Sequence, residues 1–258
     1  MTPELSLPKL SLRGVTKRFG DKLVLDGVDL DVEAGRSLVI IGGSGQGKSV
    51  TIKIAIGLMA PDAGRVLVDG QDVTDLRGKA RVAHAAKFGM LFQGAALFDS
   101  LTVWENVAFR LINADGVPRR EARARALDAL AKVNLPASAA GLHPIELSGG
   151  MQKRVGLARA VVASPEILFF DEPTTGLDPI SADVINRLIV EQVRRLGCTA
   201  VSITHDLASA RVIGDEVAML HGGRIVWRGP VADLDRSGNP YVEQFIHGRA
   251  EGPITAES

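Results

Sequence analysis

Eight residues, GGSGQGKS from Gly42 to Ser49, place four glycines ahead of a lysine and a serine. That spacing, G-x-x-x-x-G-K-[ST], suits the binding of a nucleoside triphosphate. Gly43, Gly45 and Gly47 let the backbone curl so that successive amides face phosphate oxygens, with Ser44, Gln46 and the following Val50 assigned to the same contact. Lys48 supplies a cation for the terminal phosphates, and the Ser49 hydroxyl is placed to coordinate Mg2+. The apolar run RSLVIIG leads into Gly42 and VTIKIAIGL follows as a helix, so strand, loop, lysine, serine and helix stand in the order the chemistry needs. A dinucleotide fingerprint starting at Gly43 fails, because its third glycine would have to be Lys48.

A bound triphosphate also needs carboxylates, and ILFFDE ends in Asp171 and Glu172. Adjacent acids on an extended segment point apart. Asp171 is therefore expected in the metal shell with Ser49, and Glu172 on the side where a water attacks the γ-phosphate, as general base. The alternative, two solvated acids at a strand end, leaves the apolar approach and the upstream loop unexplained. His205, after TAVSIT, falls at the strand edge where open α/β sheets put ligands and is a candidate donor to the γ-phosphate, or a structural histidine. Gln93, closing GMLFQ, is a candidate bridge between metal and attacking water, or a polar strand terminus. Phe19 in KRFG is a candidate for stacking on adenine, or a core aromatic. Asp178, ahead of Pro179, suits a helix N-cap, which is compatible with a role at the nucleotide.

ELSGGMQKR, from Glu146 to Arg154, sets Gly149 and Gly150 side by side at a helix start. Glycine there weakens a helix by about 0.5–1 kcal/mol per residue. A helix start offers N–H groups and the positive end of the macrodipole, and bare glycines let an anion come close. Since the chain's own triphosphate is assigned to Gly42–Ser49, this second anion site is expected to serve a nucleotide on a second copy, in a head-to-tail pair with two shared sites. Ser148 would then hydrogen-bond the γ-phosphate. The rival assignment, a Ser148 cap followed by close packing against Gly150, explains only one of the glycines.

The elements that must position these residues alternate between strand and helix, which predicts an α/β sheet. KLSLRGVTKRF and LVLDGVDLDV alternate apolar and polar residues as half-buried antiparallel strands do, whereas RSLVIIG, EILFFD and TAVSIT are continuous apolar runs typical of central parallel strands. VAMLHGGRIVWRG predicts a hairpin turning at Gly222 and Gly223. Between Gly94 and Ser164 strand signals stop, and RREARARALDALAKVN and the Gly149 helix predict a helical insertion. Beyond Asp235 a polar tail with Gly and Pro is expected to be peripheral.

With 46% apolar residues over 258 positions, a substantial core can be buried. Lys plus Arg and Asp plus Glu are both 30, without a polybasic block, which argues against nucleic acid as a partner. The single Cys198 excludes an internal disulfide and, with no charged-then-apolar leader, predicts a reducing cytoplasm. The longest apolar runs fall far short of the ~20 residues that cross a bilayer, so work at a membrane would need another subunit to cross. The histidines His84, His143, His221 and His247 show no metal-ligand spacing.

Taken together, these residues resemble the nucleotide-binding subunits of ATP-binding cassette (ABC) transporters over nearly the whole sequence. The family's elements occur in order: an aromatic A-loop at Phe19, Walker A at Gly42–Ser49, a Q-loop at Gln93, the signature LSGGM at Leu147–Met151, Walker B ending at Asp171, Glu172, the D-loop GLD at Gly176–Asp178 and a switch at His205. Two departures stand out: Phe19 where Tyr is common, which keeps stacking, and Met151 where Gln is commonest, which puts that side chain's contacts in doubt. The resemblance implies a P-loop NTPase fold of the ABC type. In it, a RecA-like mixed-sheet core and antiparallel β subdomain (5–94 and 165–235) carry a helical subdomain (95–164), followed by a tail (236–258). It also implies ATP and Mg2+ as ligands and a homodimer with two hydrolytic sites. In such a dimer ATP closes the pair, Gln93 transmits closure to an integral-membrane permease, and hydrolysis through Glu172 reopens it.

MLFQGAALFDSLTVWENVAF, Met90 to Phe109, and YVEQFIHG followed by GPI are similar to the ATPases of Mla phospholipid transport systems. That likeness implies an MCE-domain lipid-binding protein, a small STAS-domain subunit and a position on the cytoplasmic face of the inner membrane. Leu97, Phe98, Leu101 and Trp104 suit a groove for a permease helix, or the core of the helical insertion. The alternatives for function are a polar-solute importer, such as one for amino acids, and a soluble ABC ATPase acting on ribosomes or DNA.

Overall fold

The computed structural model describes residues 7–255; residues 5 and 6 of the expected domain and 256–258 of the expected tail lie outside them. The first elements are β1 (Leu10–Phe19), β2 (Lys22–Val32), β3 (Ser37–Ile41), α1 (Lys48–Ala55), β4 (Ala63–Val68), β5 (Gln71–Asp72) and α2 (Gly78–Ala85). Next come β6 (Phe88–Leu91), α3 (Val103–Asn113), α4 (Arg119–Ala131), α5 (Gly149–Val161), β7 (Ile167–Asp171) and α6 (Pro179–Leu196). The chain ends with β8 (Thr199–Ile203), α7 (Leu207–Ile213), β9 (Glu216–His221), β10 (Arg224–Pro230) and α8 (Pro240–His247). They group into two compact units, one made of the chain up to Ala85 and from Thr199 onward, the other of Ala86–Cys198.

In the first unit β2, β1, β4 and β5 form an antiparallel sheet in that order. Its apolar alternation buries Leu10, Leu12 and Val15 of β1 and Leu25, Val28, Leu30 and Val32 of β2. A second, mixed arrangement pairs β3 in parallel with both β8 and β9, and β9 antiparallel with β10. All five residues of β3 and all five of β8 are buried, which explains why these runs carry no polar face. The β9–β10 turn falls at Gly222 and Gly223, with φ of 56° and 76°. The short β4 and β5 have no counterpart in the sequence reading, since only Val66 and Val68 of them are buried.

The second unit pairs β6 with β7 in parallel register, Phe88 opposite Ile167 through Leu91 opposite Phe170. β7 is wholly buried, and its Phe169 meets Phe88 edge to face at 5.6 Å. Helices fill the stretch where strand signals stop. Thr102 and Glu105 form a capping box at the start of α3. α4 follows RREARARALDALA and buries Ala122, Ala126, Ala129 and Leu130, one face of a helix.

The chain beyond Asp235 contains α8, capped by Asn239 and anchored by the fully buried Val242. Gln244 folds the last described residues back, its amide donating to the Ile254 carbonyl at 2.9 Å and its oxygen accepting from the Ile254 N–H at 2.7 Å. Among the described residues no helix is long and apolar enough to cross a membrane.

Candidate nucleotide site

β3 runs directly into Gly42, and the loop beyond it is shaped by steric need. A Cβ on Gly42 would lie 2.3 Å from the Leu220 carbonyl oxygen, and one on Gly47, at φ 98°, would lie 2.8 Å from Leu25 Cδ2 and 2.9 Å from the Val24 carbonyl oxygen. β9 and β2 therefore wall the loop, and only glycine fits. α1 starts at Lys48, and the Thr51 N–H donates to the Gly47 carbonyl at 2.9 Å. Its first-turn amides, those of Lys48, Ser49 and Val50, consequently point back toward the loop at the positive end of the helix dipole. Lys48 Nζ donates to the Gly42 and Gly43 carbonyls, each at 2.8 Å, so a buried ammonium lies along the loop. Gln46 turns inward to accept the Gly222 N–H at 2.7 Å, while Ser44 and Gly45 are exposed.

His205 leaves the sheet beside this loop. Ile203 of β8 is the partner of Ile40 in β3, and the Thr204 N–H donates to the Ile40 carbonyl at 3.2 Å. The histidine that follows is exposed at the same C-terminal strand edge as Gly42. Phe19 ends β1 at 47% exposure with Lys17 Nζ 5.8 Å from its ring centre, so it is not a core aromatic.

In the second unit β7 delivers Asp171 and Glu172, both nearly buried. The chain does not stay extended through them: Glu172 has φ 49°, the left-handed region. Glu172 therefore leaves the regular strand, and holding a non-glycine residue in that region costs of order 1–3 kcal/mol. Glu172 Oε2 accepts from Thr175 Oγ1 at 3.1 Å. Gln93 lies two residues past the end of β6, in an exposed turn rather than in the strand, and Ala95 and Ala96 after it have φ of 60° and 46°.

The segment Gly149–Gly150 begins α5, as the sequence predicts, and Ser148 caps it by accepting the Met151 N–H at 3.3 Å. Close packing is absent. Among the described residues a Cβ on Gly150 would meet nothing within 4 Å outside its own helix, and one on Gly149 only Leu177 Cδ2 at 3.8 Å. Neither has a left-handed φ. Packing among the described residues requires neither glycine. Asp178, one residue past Leu177, caps α6 by accepting the Ile180 and Ser181 N–H groups at 3.0 Å. Hydrogen bonds from Ser181, then Ile180, hold its carboxyl below the usual carboxylate range.

One residue was not found from the sequence. Lys153 is buried in α5, and its Nζ donates to the main-chain carbonyls of Gln93 and, at 3.3 Å, Glu172. Burial pushes its ammonium below the ordinary lysine range, while Asp171 and Glu172 pull it back up. A signal did exist: positions 153, 156, 157 and 160 form a helical stripe whose other members, Gly156, Leu157 and Ala160, are buried and uncharged.

Both units thus present groups suited to a nucleotide: an anion cradle in one, and buried carboxylates, an exposed amide and a bare helix start in the other. The ABC transporter family matches residues 25–175, and the chain belongs to that family. It is an ATP-binding, ATP-hydrolysing subunit of a membrane transporter.

Its relatives include the probable ribonucleotide transport ATP-binding protein mkl of Mycobacterium leprae, 38% identical over 95% of this chain and 70% of that protein. The methionine import protein MetN of Caulobacter vibrioides is 40% identical over 96% and 74%. The intermembrane phospholipid transport protein MlaF of Escherichia coli is 35% identical over 95% and 91%. Among solved structures, the dimeric post-hydrolysis state of the cassette MJ0796 bound to ADP and Pi matches with a TM-score of 0.79 at 33% identity, over 86% of this chain and 98% of that one.

Proposed function

We propose that this subunit powers phospholipid movement between inner and outer membranes, as a homodimer bound to an integral permease at the cytoplasmic face of the inner membrane. Phospholipid as cargo is supported by the likeness to MlaF along nearly the whole of both chains. By the same likeness its further partners are an MCE-domain protein and a small STAS-domain subunit. Leu97, Leu101 and Trp104 are half-buried and Phe98 is exposed at 44%, which supports the permease-groove assignment for this face. A methionine or other polar-solute importer is the second candidate, favoured by the 40% identity to MetN.

The role proposed for each residue is the one the ABC resemblance implies. Phe19 stacks on adenine; the backbone of Gly42–Val50 and Lys48 hold the phosphates. Ser49 and Asp171, with the Gln93 side chain, are the oxygen donors for Mg2+, a set of one carboxylate and neutral oxygens that fits a hard cation shared with phosphates. When bound, the ion neutralises charge between the β- and γ-phosphates. Glu172 takes the proton of the attacking water and His205 donates to the γ-phosphate. Ser148, Gly149, Gly150 and Asp178 meet the nucleotide of the twin subunit. The single observation that carries the shared site is the open space over Gly150, half-buried at a capped helix start with nothing among the described residues beyond its own helix to fill it.

The test has two arms. Glu172→Gln should lower turnover by roughly 10²- to 10⁴-fold while ATP still drives dimerisation; wild-type turnover removes Glu172 from the base role. Co-purification from membranes with lipid analysis of the associated integral subunit tests the cargo, and an assembly that carries methionine-dependent activity and no phospholipid rejects it.

A further inference from the structure

Lys153 stands one helical turn beyond Gly149, the first residue of α5, and is 5% exposed. Its ammonium reaches two separate loops by their main-chain oxygens, those of Gln93 and Glu172. Both loops hold irregular backbone: Glu172 itself is left-handed, and Ala95 and Ala96 follow Gln93 in the same region. The same helix grips the Gln93 loop again further along. Arg159 donates to the Ala95 and Ala96 carbonyls, and Gly156 makes room there, since a Cβ on it would come within 2.7 Å of Leu91 Cδ1 and 3.2 Å of Ala95 Cβ. A regular, stiff element thus carries at its start the bare glycines, and four residues on a cation that fastens two strained loops.

We propose that Lys153 is a positioning residue for hydrolysis: it ties the carbonyls of Gln93 and Glu172 to the helix that begins at Gly149, so that the amide, the base and the helix start move as one body. This rests on the roles proposed above for Gln93, Glu172 and the Ser148–Gly150 segment. A cation that only filled space would be replaceable by an apolar side chain of equal length. A directional tie would not, because the two carbonyls would lose their common donor.

The experiment uses the subunit in its transporter assembly and compares Lys153→Met with Lys153→Arg. The methionine variant should lose roughly 10- to 100-fold in kcat, the scale of a misplacement near 1 Å, with KM for ATP within about 3-fold. Arginine, which keeps a donor of similar reach, should recover kcat to within about 5-fold of wild type. In a Glu172→Gln background Lys153→Met should cost less than about 3-fold more, because the effect acts through Glu172. An unchanged kcat in folded Lys153→Met, or no recovery by arginine, overturns the inference. A fully additive double variant overturns it alone, whereas wild-type turnover by Glu172→Gln overturns the base assignment as well. Should the methionine variant not fold, amide hydrogen exchange in the Glu172→Gln protein decides. ATP should protect residues 93–96 and 172–176 together with 149–153, and protection of 149–153 alone overturns the tie.

Discussion

Two groups of glycines in this molecule exist for opposite reasons. Gly42 and Gly47 are required by the chain's own walls, where a Cβ would sit 2.3 Å from Leu220 O and 2.8 Å from Leu25 Cδ2. Gly150 is required by no packing partner among the described residues, with no atom outside its own helix within 4 Å of the same hypothetical carbon. The first group gives the loop a shape that binds phosphate; the second leaves a surface bare. A glycine that helix energetics disfavours, and that its own fold does not need, is a mark of something approaching from outside.

The contrast can be broken most severely by charge. Gly150→Glu should fold with a melting temperature equal to or above wild type, since the space is open and an acid suits a first helical turn, yet lose about 100-fold or more of ATPase activity by setting a carboxylate where a phosphate is expected. A large fall in melting temperature would mean that the space is filled after all. Gly47→Ala should do the reverse in part: it should lower stability by about 1–3 kcal/mol through clash and a left-handed φ, and weaken ATP binding, both measurable by thermal melts with and without nucleotide. Gly150→Ala sharpens the comparison, because it should raise stability by up to about 1 kcal/mol while lowering ATP-driven dimerisation, read by melting and by light scattering. Equal loss of both would put Gly150 in the same class as Gly47.

The smallest expected effect lies at Asp178, beside the bare helix start. Its folded pKa is depressed below 3.8 by the cap hydrogen bonds, so its carboxylate stabilises α6 fully above that value and the contribution fades as pH falls through the lower folded pKa. Asp178→Ser keeps a cap without a titrating group. The difference in melting temperature between the two proteins should therefore be constant above about pH 5 and change only below about pH 4. A change centred near neutrality would assign the titration elsewhere.

Much of this was legible in the chain because the signals are local. Lys48 and Ser49 follow a glycine loop at fixed spacing, apolar runs such as EILFFD announce buried strands, and Ser148 and Asp178 stand where helix caps stand. The expectation failed where geometry depends on neighbours. Gln93 looked like a strand end and lies in a turn. Asp171 and Glu172 read as one extended segment, whereas Glu172 is left-handed. β4 and β5 carry too few buried side chains to stand out.

Local spacing was enough for the triphosphate loop, the paired acids and the glycine pair, since each acts through residues adjacent along the backbone. Three-dimensional packing had to decide that Gly150 faces open space and that Lys153 joins Gln93 to Glu172, residues 60 and 19 positions away along the chain. The reason is physical: backbone periodicity is written in consecutive side chains, but a void or a buried cation's partners are properties of segments that meet only after folding.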